Sequence, residues 1–292
     1  MSEIKVNSIK GVGASTAAIT VNNTDGTCTA NITNNLSNRN LIINGAMQVA
    51  QRGTSSTSTG YQTVDRFKVS YGGTDEAPTQ AQVDVASGTT PYTLGFRKAL
   101  RVTNGNQTSG AGADDYITIN HRVEAQNVAQ SGWNYLSSSS NITFSFWVKS
   151  SVAQTFYIVI TNNDGTTYNY PVETGSLTAD TWTKITKTIP GNSNLTFNND
   201  NGKGLEFDIQ LFRGTNTTGS VTLNQWATFA SATRTPDSTS TWYTTNDATF
   251  EITGVQLEVG SVATDFEHRS FANELALCQR YFYMHAFGAS VY

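Results

Sequence analysis

The stretch Leu205-Glu-Phe-Asp-Ile-Gln-Leu211 alternates without a fault: Leu205, Phe207, Ile209 and Leu211 are apolar, and the three residues between them are polar. A period of two places one set on each face of an extended chain. This is the signature of an antiparallel strand with one face in a core and the other in water. The same rhythm runs through Ile142-Thr-Phe-Ser-Phe-Trp-Val-Lys149, with Ile142, Phe144, Phe146 and Val148 on the inner side. Segments 155–161 and 168–172 flank Asn162-Asn-Asp-Gly165, and Asp-Gly between two such runs signals a hairpin. Further strands are expected at 41–49, 66–71, 81–85, 97–102, 116–119, 182–189 and 221–227. In Phe250-Glu-Ile-Thr-Gly-Val-Gln-Leu-Glu-Val259 the apolar phase slips once, at Thr253-Gly254, as a β-bulge requires. Many short strands with no helical period between them predict an all-β fold. We expect a jelly-roll-type antiparallel β-sandwich over residues 40–266.

Composition agrees with that expectation. Charged residues make up 14% of the 292, against roughly 25% in ordinary domains. The 44 threonines outnumber the 18 basic and 22 acidic residues together. Threonine suits strands, while Asn, Gly and Ser suit the turns between them. A net charge of −4 and the lack of a basic run give no electrostatic basis for nucleic-acid binding. No apolar stretch approaches the ~20 residues of a membrane span, and Met1-Ser-Glu-Ile-Lys5 does not read as a signal peptide. Cys28 and Cys278 lie at opposite ends of the chain and are expected to be free thiols, consistent with maturation in a reducing cytoplasm.

Two further zones flank the body. Residues 1–39 hold short β-prone pieces whose apolar residues, Ile4, Val6, Ile9, Ile19 and Val21, are too few for a core of their own. We read the segment as one that orders against identical copies or a different partner, an attachment and trimerisation region. A frayed terminus is the plain alternative. Residues 267–292 hold one amphipathic helix, capped by Ser270, with Glu274 in its first turn, Phe271, Leu275, Cys278 and Phe282 as its apolar stripe, and Arg280 near its end. That stripe either folds back on the sandwich or meets copies of itself on a three-fold axis.

Groups for catalysis are scarce. His121, His268 and His285 are far apart and fall in no ligand pattern, and no nucleophile elbow is present. No metal or other cofactor is expected. Glu206 and Asp208 share a strand face ~7 Å apart, a spacing compatible with glycoside hydrolysis, but solvation of a polar face explains them equally. Asn198-Asn-Asp-Asn-Gly202 and Asp114-Asp115 offer oxygen ligands for calcium, or ordinary turn chemistry. Trp133, Tyr135, Trp226, Trp242 and Tyr243 lie in or beside polar loops, where aromatic faces stack on sugar rings. Alternatively these rings close the sandwich ends or a subunit interface.

Two stretches carry a resemblance. Asn40-Leu-Ile-Ile-Asn-Gly-Ala-Met-Gln-Val-Ala-Gln-Arg-Gly53 with Val64-Asp-Arg-Phe67 resembles the start of the body domain in bacteriophage tail-fibre proteins. The segment 250–260 runs into Ala263-Thr-Asp-Phe-Glu-His-Arg-Ser270 and Glu274-Leu-Ala-Leu-Cys-Gln-Arg-Tyr-Phe282, and is similar to the closing strand and helix of the same family. Ser145-Phe-Trp-Val-Lys-Ser150 and Thr181-Trp-Thr-Lys184 fit between them, and Glu3-Ile-Lys-Val-Asn-Ser-Ile9 is similar to fibre amino termini. The resemblance implies a sandwich like that of carbohydrate-binding modules. It also implies a homotrimer anchored to other phage tail proteins by its amino terminus, located in the virion, and directed at a host surface glycan. It brings no catalytic residues. Family members continue past the helix into a longer tip, whereas nine residues, 284–292, follow it here, so this chain or another protein supplies the tip. A stand-alone carbohydrate-binding module and a polysaccharide depolymerase are the competing functions.

Overall fold

The structure is a computed structural model that describes residues 6–13, 19–21, 24, 28–30 and 38–284, with backbone only at 28–30. The chain divides into two compact units, 1–38 and 39–292. In the first, β1 (Ser8–Ile9), β2 (Ile19–Val21) and β3 (Cys28–Ala30) form a small antiparallel sheet in which Ile9 pairs with Ile19 and Ile19 with Ala30. Val6 and Ile9 are exposed, and Ile19 and Val21 are half-buried. Ile4 lies outside the described residues.

The second unit is an antiparallel sandwich of two six-stranded sheets. One sheet runs β5 (Phe67–Gly72), β8 (Tyr116–Glu124), β13 (Lys203–Arg213), β10 (Thr155–Asn162), β11 (Tyr168–Ser176), β14 (Ala227–Thr228). The other runs β4 (Ser55–Ser56), β6 (Thr79–Asp84), β7 (Lys98–Thr103), β15 (Thr249–Val259), β9 (Asn141–Ser150), β12 (Thr183–Pro190). Their inner faces meet in one core. Phe144 of β9 stacks on Phe207 of β13 at 4.5 Å, and Phe156 of β10 meets Phe250 of β15 edge-on at 4.8 Å. The alternating residues of 142–148 and 205–211 point inward as their period requires. The register of β15 against β9 shifts between Thr253 and Gln256, and Gly254 sits there with φ +62°, so the predicted bulge is present. Short helices α1 (Thr90–Thr93), α2 (Ala125–Ala129) and α3 (Thr241–Thr244) interrupt the connections, and α4 (Phe271–Gln279) follows the last strand.

Two expected strands are absent. Segment 41–49 is an irregular plug in which Asn44 and Met47 adopt left-handed φ values of 62° and 58°, incompatible with a strand. The Asn44 side chain replaces the missing ladder, donating to the carbonyls of Val49 and Asp65 at 2.9 Å and accepting from Val49 N at 3.0 Å. In 221–227 only Ala227 reaches a strand; Asn224 is left-handed, and its amide bonds Pro171 O instead.

The plug and the closing segment are one structural knot. Asn40 Oδ1 accepts from Leu257 N and from Ile42 N, both at 3.0 Å, and Arg269 donates to the carbonyls of Asn40 and Ile42. The Glu274 carboxylate accepts the buried Asn44 N–H. Val255 N donates to Gly45 O, and a Cβ at position 45 would lie 2.0 Å from Val255 O. Helix α4 therefore folds back on its own body. Ser270 caps it as expected, and Leu275 and Cys278 of the expected stripe pack against Ile43 and Val49; Glu274 is buried beside them, while Phe271 is exposed. Arg280 leaves the helix end to grip Glu124 at 2.9 and 3.0 Å, and Arg66 and Arg52 lie over the rings of Tyr281 and Phe282. Burial pushes the Glu124 carboxyl up, but the bonds from Arg280 and Tyr281 outweigh it and hold Glu124 below its ordinary range. Cys278 is a free, buried thiol whose pKa burial pushes up to about 12, so it is not a reactive centre.

Candidate functional site

The outer side of the β5–β14 sheet is hollowed into a cleft of about 630 Å3. Its floor follows from strand register. Thr118 lies opposite Gln210 on one side and Ser70 on the other; Asn120 lies opposite Asp208; Glu206 opposite Thr161, and Thr161 opposite Asn169. These are the polar partners of the core-facing residues, so alternation alone puts them on one surface.

Arg213 joins them by a different route. Strict alternation after Gln210 would aim residue 213 into the core. The register of β13 against β8 shifts between Gln210 and Phe212, Leu211 and Phe212 are both buried, and Arg213 is returned to the outer face opposite Tyr116. Re-aiming a side chain is what a bulge does beside a site. The apolar doublet Leu211-Phe212 is its sequence signal, one residue beyond where the alternation was read. Loop residues Thr217, Phe229 and Arg234 complete the walls.

The cleft's carboxylates are held by neighbours. Asp208 accepts from Asn120 Nδ2 at 2.8 Å and from Gln210 Nε2 and Arg213 Nη2 at 3.2 Å each. Burial nevertheless raises its pKa above the ordinary carboxylate range, with Arg213 pulling the other way. Glu206 is clamped by Lys203 at 2.7 Å and Arg122 at 3.3 Å. Both carboxyl groups are thus engaged by neighbours in the floor. Two buried polar atoms of the lining, Ser70 Oγ and Arg213 Nε, have no partner. Amide and hydroxyl groups dominate the rest, with Tyr116 and Phe229 as the aromatic members. Such a surface suits a polyhydroxylated ligand, which brings both donors and acceptors.

None of the five aromatic residues expected to contact sugar lines this cleft. Trp242 and Tyr243 are fully buried: Trp242 Nε1 donates to Thr249 O at 3.1 Å, and Tyr243 stacks on Phe212 and donates to Asp115 at 2.9 Å. Trp133 is 3% exposed and packs with Tyr135 and Phe197. Tyr135 and Trp226 are half-buried, and Trp226 lies against Tyr170 with its Nε1 on Pro190 O at 2.7 Å. These rings pack at the sandwich margins, as the alternative reading of them has it, with Tyr135 and Trp226 partly accessible. The opposite sheet carries a smaller hollow of about 210 Å3 with Trp147, Phe266 and His268 in its wall.

The proposed calcium loops make turn bonds. Asp200 accepts from Gly202 N at 2.9 Å, Asp114 from Asn216 at 2.7 Å, and Asp115 from Gly112 N and Tyr243. Among the described residues no group of three or more His, Cys, Asp or Glu side chains is placed to hold a metal ion, and no helix is long and apolar enough to cross a membrane. His121 is buried with neither ring nitrogen bonded, and burial keeps its pKa well below the ordinary 6.5.

No protein-family model matches the chain, and no curated protein does. Among solved structures it is similar to the enzymatically active domain of tailspike protein 4 of bacteriophage CBA120, at 10% identity and a TM-score of 0.41 over 76% of this chain and 22% of that one. It is also similar to a protein described as sugar-binding from Bacteroides thetaiotaomicron, at 12% identity and a TM-score of 0.40, over 76% of this chain and all of that one. A cellulose-binding domain of a Cellulomonas fimi glucanase matches at 12% identity and a TM-score of 0.33, over 74% of this chain and 99% of that one. At that distance the neighbours assign no residue of this chain a role.

Proposed function

We propose that this chain is a non-enzymatic, glycan-binding component of a bacteriophage tail fibre, and that the cleft over β8, β13 and β10 takes saccharide from the host surface. The single observation that supports glycan binding is the cleft: a polar hollow of about 630 Å3 built by register and one bulge, with two buried polar atoms awaiting partners. Its size matches that of small-molecule and oligosaccharide sites, ~300–1,000 Å3. The placement in a fibre is supported by the likeness of 40–67 and 250–282 to tail-fibre proteins. On that reading the chain is a homotrimer docked to the tail through residues 1–39.

Calorimetric titration of the full chain with surface polysaccharide from candidate hosts tests the binding. Saturable binding that is lost on Asn120→Ala is expected; undiminished binding by that variant would place the site elsewhere. Assay of the same mixtures for new reducing ends tests the absence of catalysis, since Glu206 and Asp208 are the two carboxylates a depolymerase would use. A monomer by light scattering would overturn the trimer.

A further inference from the structure

The charged residues of the cleft are not all paired with one another. Lys203 and Arg122 pair with Glu206, and Arg213 pairs with Asp208. Arg234 forms no ion pair among the described residues; its Nε reaches only Ser231 O, at 3.3 Å, and its guanidinium lies over Phe229 at 5.3 Å. Asp114 on the rim is also without an ion pair, but it is exposed and accepts from Asn216, so water screens it. Arg213, only 8% exposed, keeps one buried N–H, at Nε, with no acceptor. Both guanidiniums line the same cleft; burial, then Arg213, lowers the pKa of Arg234, while Asp208 and Glu206 pull it the other way. A buried donor left unmet costs free energy unless an acceptor reaches it, and an anion is the strongest acceptor a ligand can bring to a guanidinium.

We infer that the cleft selects an anionic saccharide residue, its carboxylate or phosphate held by Arg213 and Arg234 and its hydroxyls by Ser70, Gln210 and their neighbours. This rests on the glycan-binding reading and narrows it. Guanidinium forks match the planar geometry of a carboxylate and the oxygens of a phosphate alike. Tyr116 and Phe229 lie against the two guanidiniums at 5.5 and 5.3 Å and back the cations, with Phe229 also exposed on the cleft wall.

The test is a titration of the full chain with matched oligosaccharides: uronate-containing chains, the same chains with their carboxyls reduced to alcohols, and neutral chains carrying one phosphate monoester. At low salt the uronate or the phosphate member should bind about tenfold tighter than its neutral counterpart, and the tighter of the two identifies the anion. The advantage should shrink at about 0.5 M NaCl. Arg234→Gln should bring the charged-to-neutral ratio close to one. Should that variant fail to fold, the salt dependence of the unaltered chain decides. Equal or tighter binding of the neutral chains would overturn the anion preference while leaving the glycan reading intact. Binding of no member of the panel would overturn both.

Discussion

The knot that joins residues 40–53 to 250–282 and the cleft over β13 are built by opposite means. In the knot, single side chains do backbone work: Asn40, Arg269 and Glu274 satisfy main-chain groups more than 200 residues away in sequence, and Asn44 those of Val49 and Asp65. In the cleft, the strands' own register supplies the surface, and many polar side chains meet the need for an outward face. The seam of the fold therefore depends on a few single side chains, whereas the candidate binding surface is shared among many.

Substitutions in the two regions should therefore separate stability from binding. The largest effect is expected for Gly45→Ala, whose Cβ would meet Val255 O at 2.0 Å. Overpacking against backbone should cost roughly 3 kcal/mol in denaturant unfolding, with binding by the folded fraction unchanged. Glu274→Ala should cost about 2 kcal/mol, because it strands the buried Asn44 N–H.

A third prediction concerns the sheet under the cleft. Burial holds the His121 pKa well below its ordinary 6.5, so the folded chain takes up that proton later on acidification than the unfolded chain does. The unfolded state then binds more protons below that pH, so stability should fall on acidification, by up to about 1.4 kcal/mol per pH unit. Asp208, with its raised pKa, acts oppositely at lower pH: its folded form gains the proton first, which relieves a penalty present at neutral pH. His121→Phe should flatten the first slope and leave the second. An unchanged profile between pH 7 and 5 in that variant would show that His121 does not set it. The smallest stability effect, within about 0.5 kcal/mol, is expected for Phe229→Ala on the cleft wall, although glycan affinity should drop about tenfold.

The sequence made the sandwich legible because period two over Leu205–Leu211 and Ile142–Val148 has one structural meaning. It also exposed the bulge at Gly254 and the hairpin after Asn162. Segment 41–49 was misread because six apolar residues in nine imitate a strand, whereas the left-handed turns at Asn44 and Met47 depend on the bonds Asn44 makes to Val49, Asp65 and the distant Glu274. Of the candidate site, Glu206 and Asp208 were visible as a shared strand face. Arg213 was hidden by the bulge, and Arg234 by a loop whose position no periodicity encodes. The burial of Trp242 and Tyr243 was not legible in the sequence because it is a tertiary fact, set by Gln154, Thr249 and Asp115.

The central claim is that saccharide is bound on the β13 face and not at the aromatic margins. Titration of host polysaccharide against the unaltered chain, Asn120→Ala and Trp226→Ala tests it most directly. The cleft variant should lose affinity by about tenfold or more while Trp226→Ala binds as the unaltered chain does. Loss confined to Trp226→Ala, with Asn120→Ala unaffected, would contradict it.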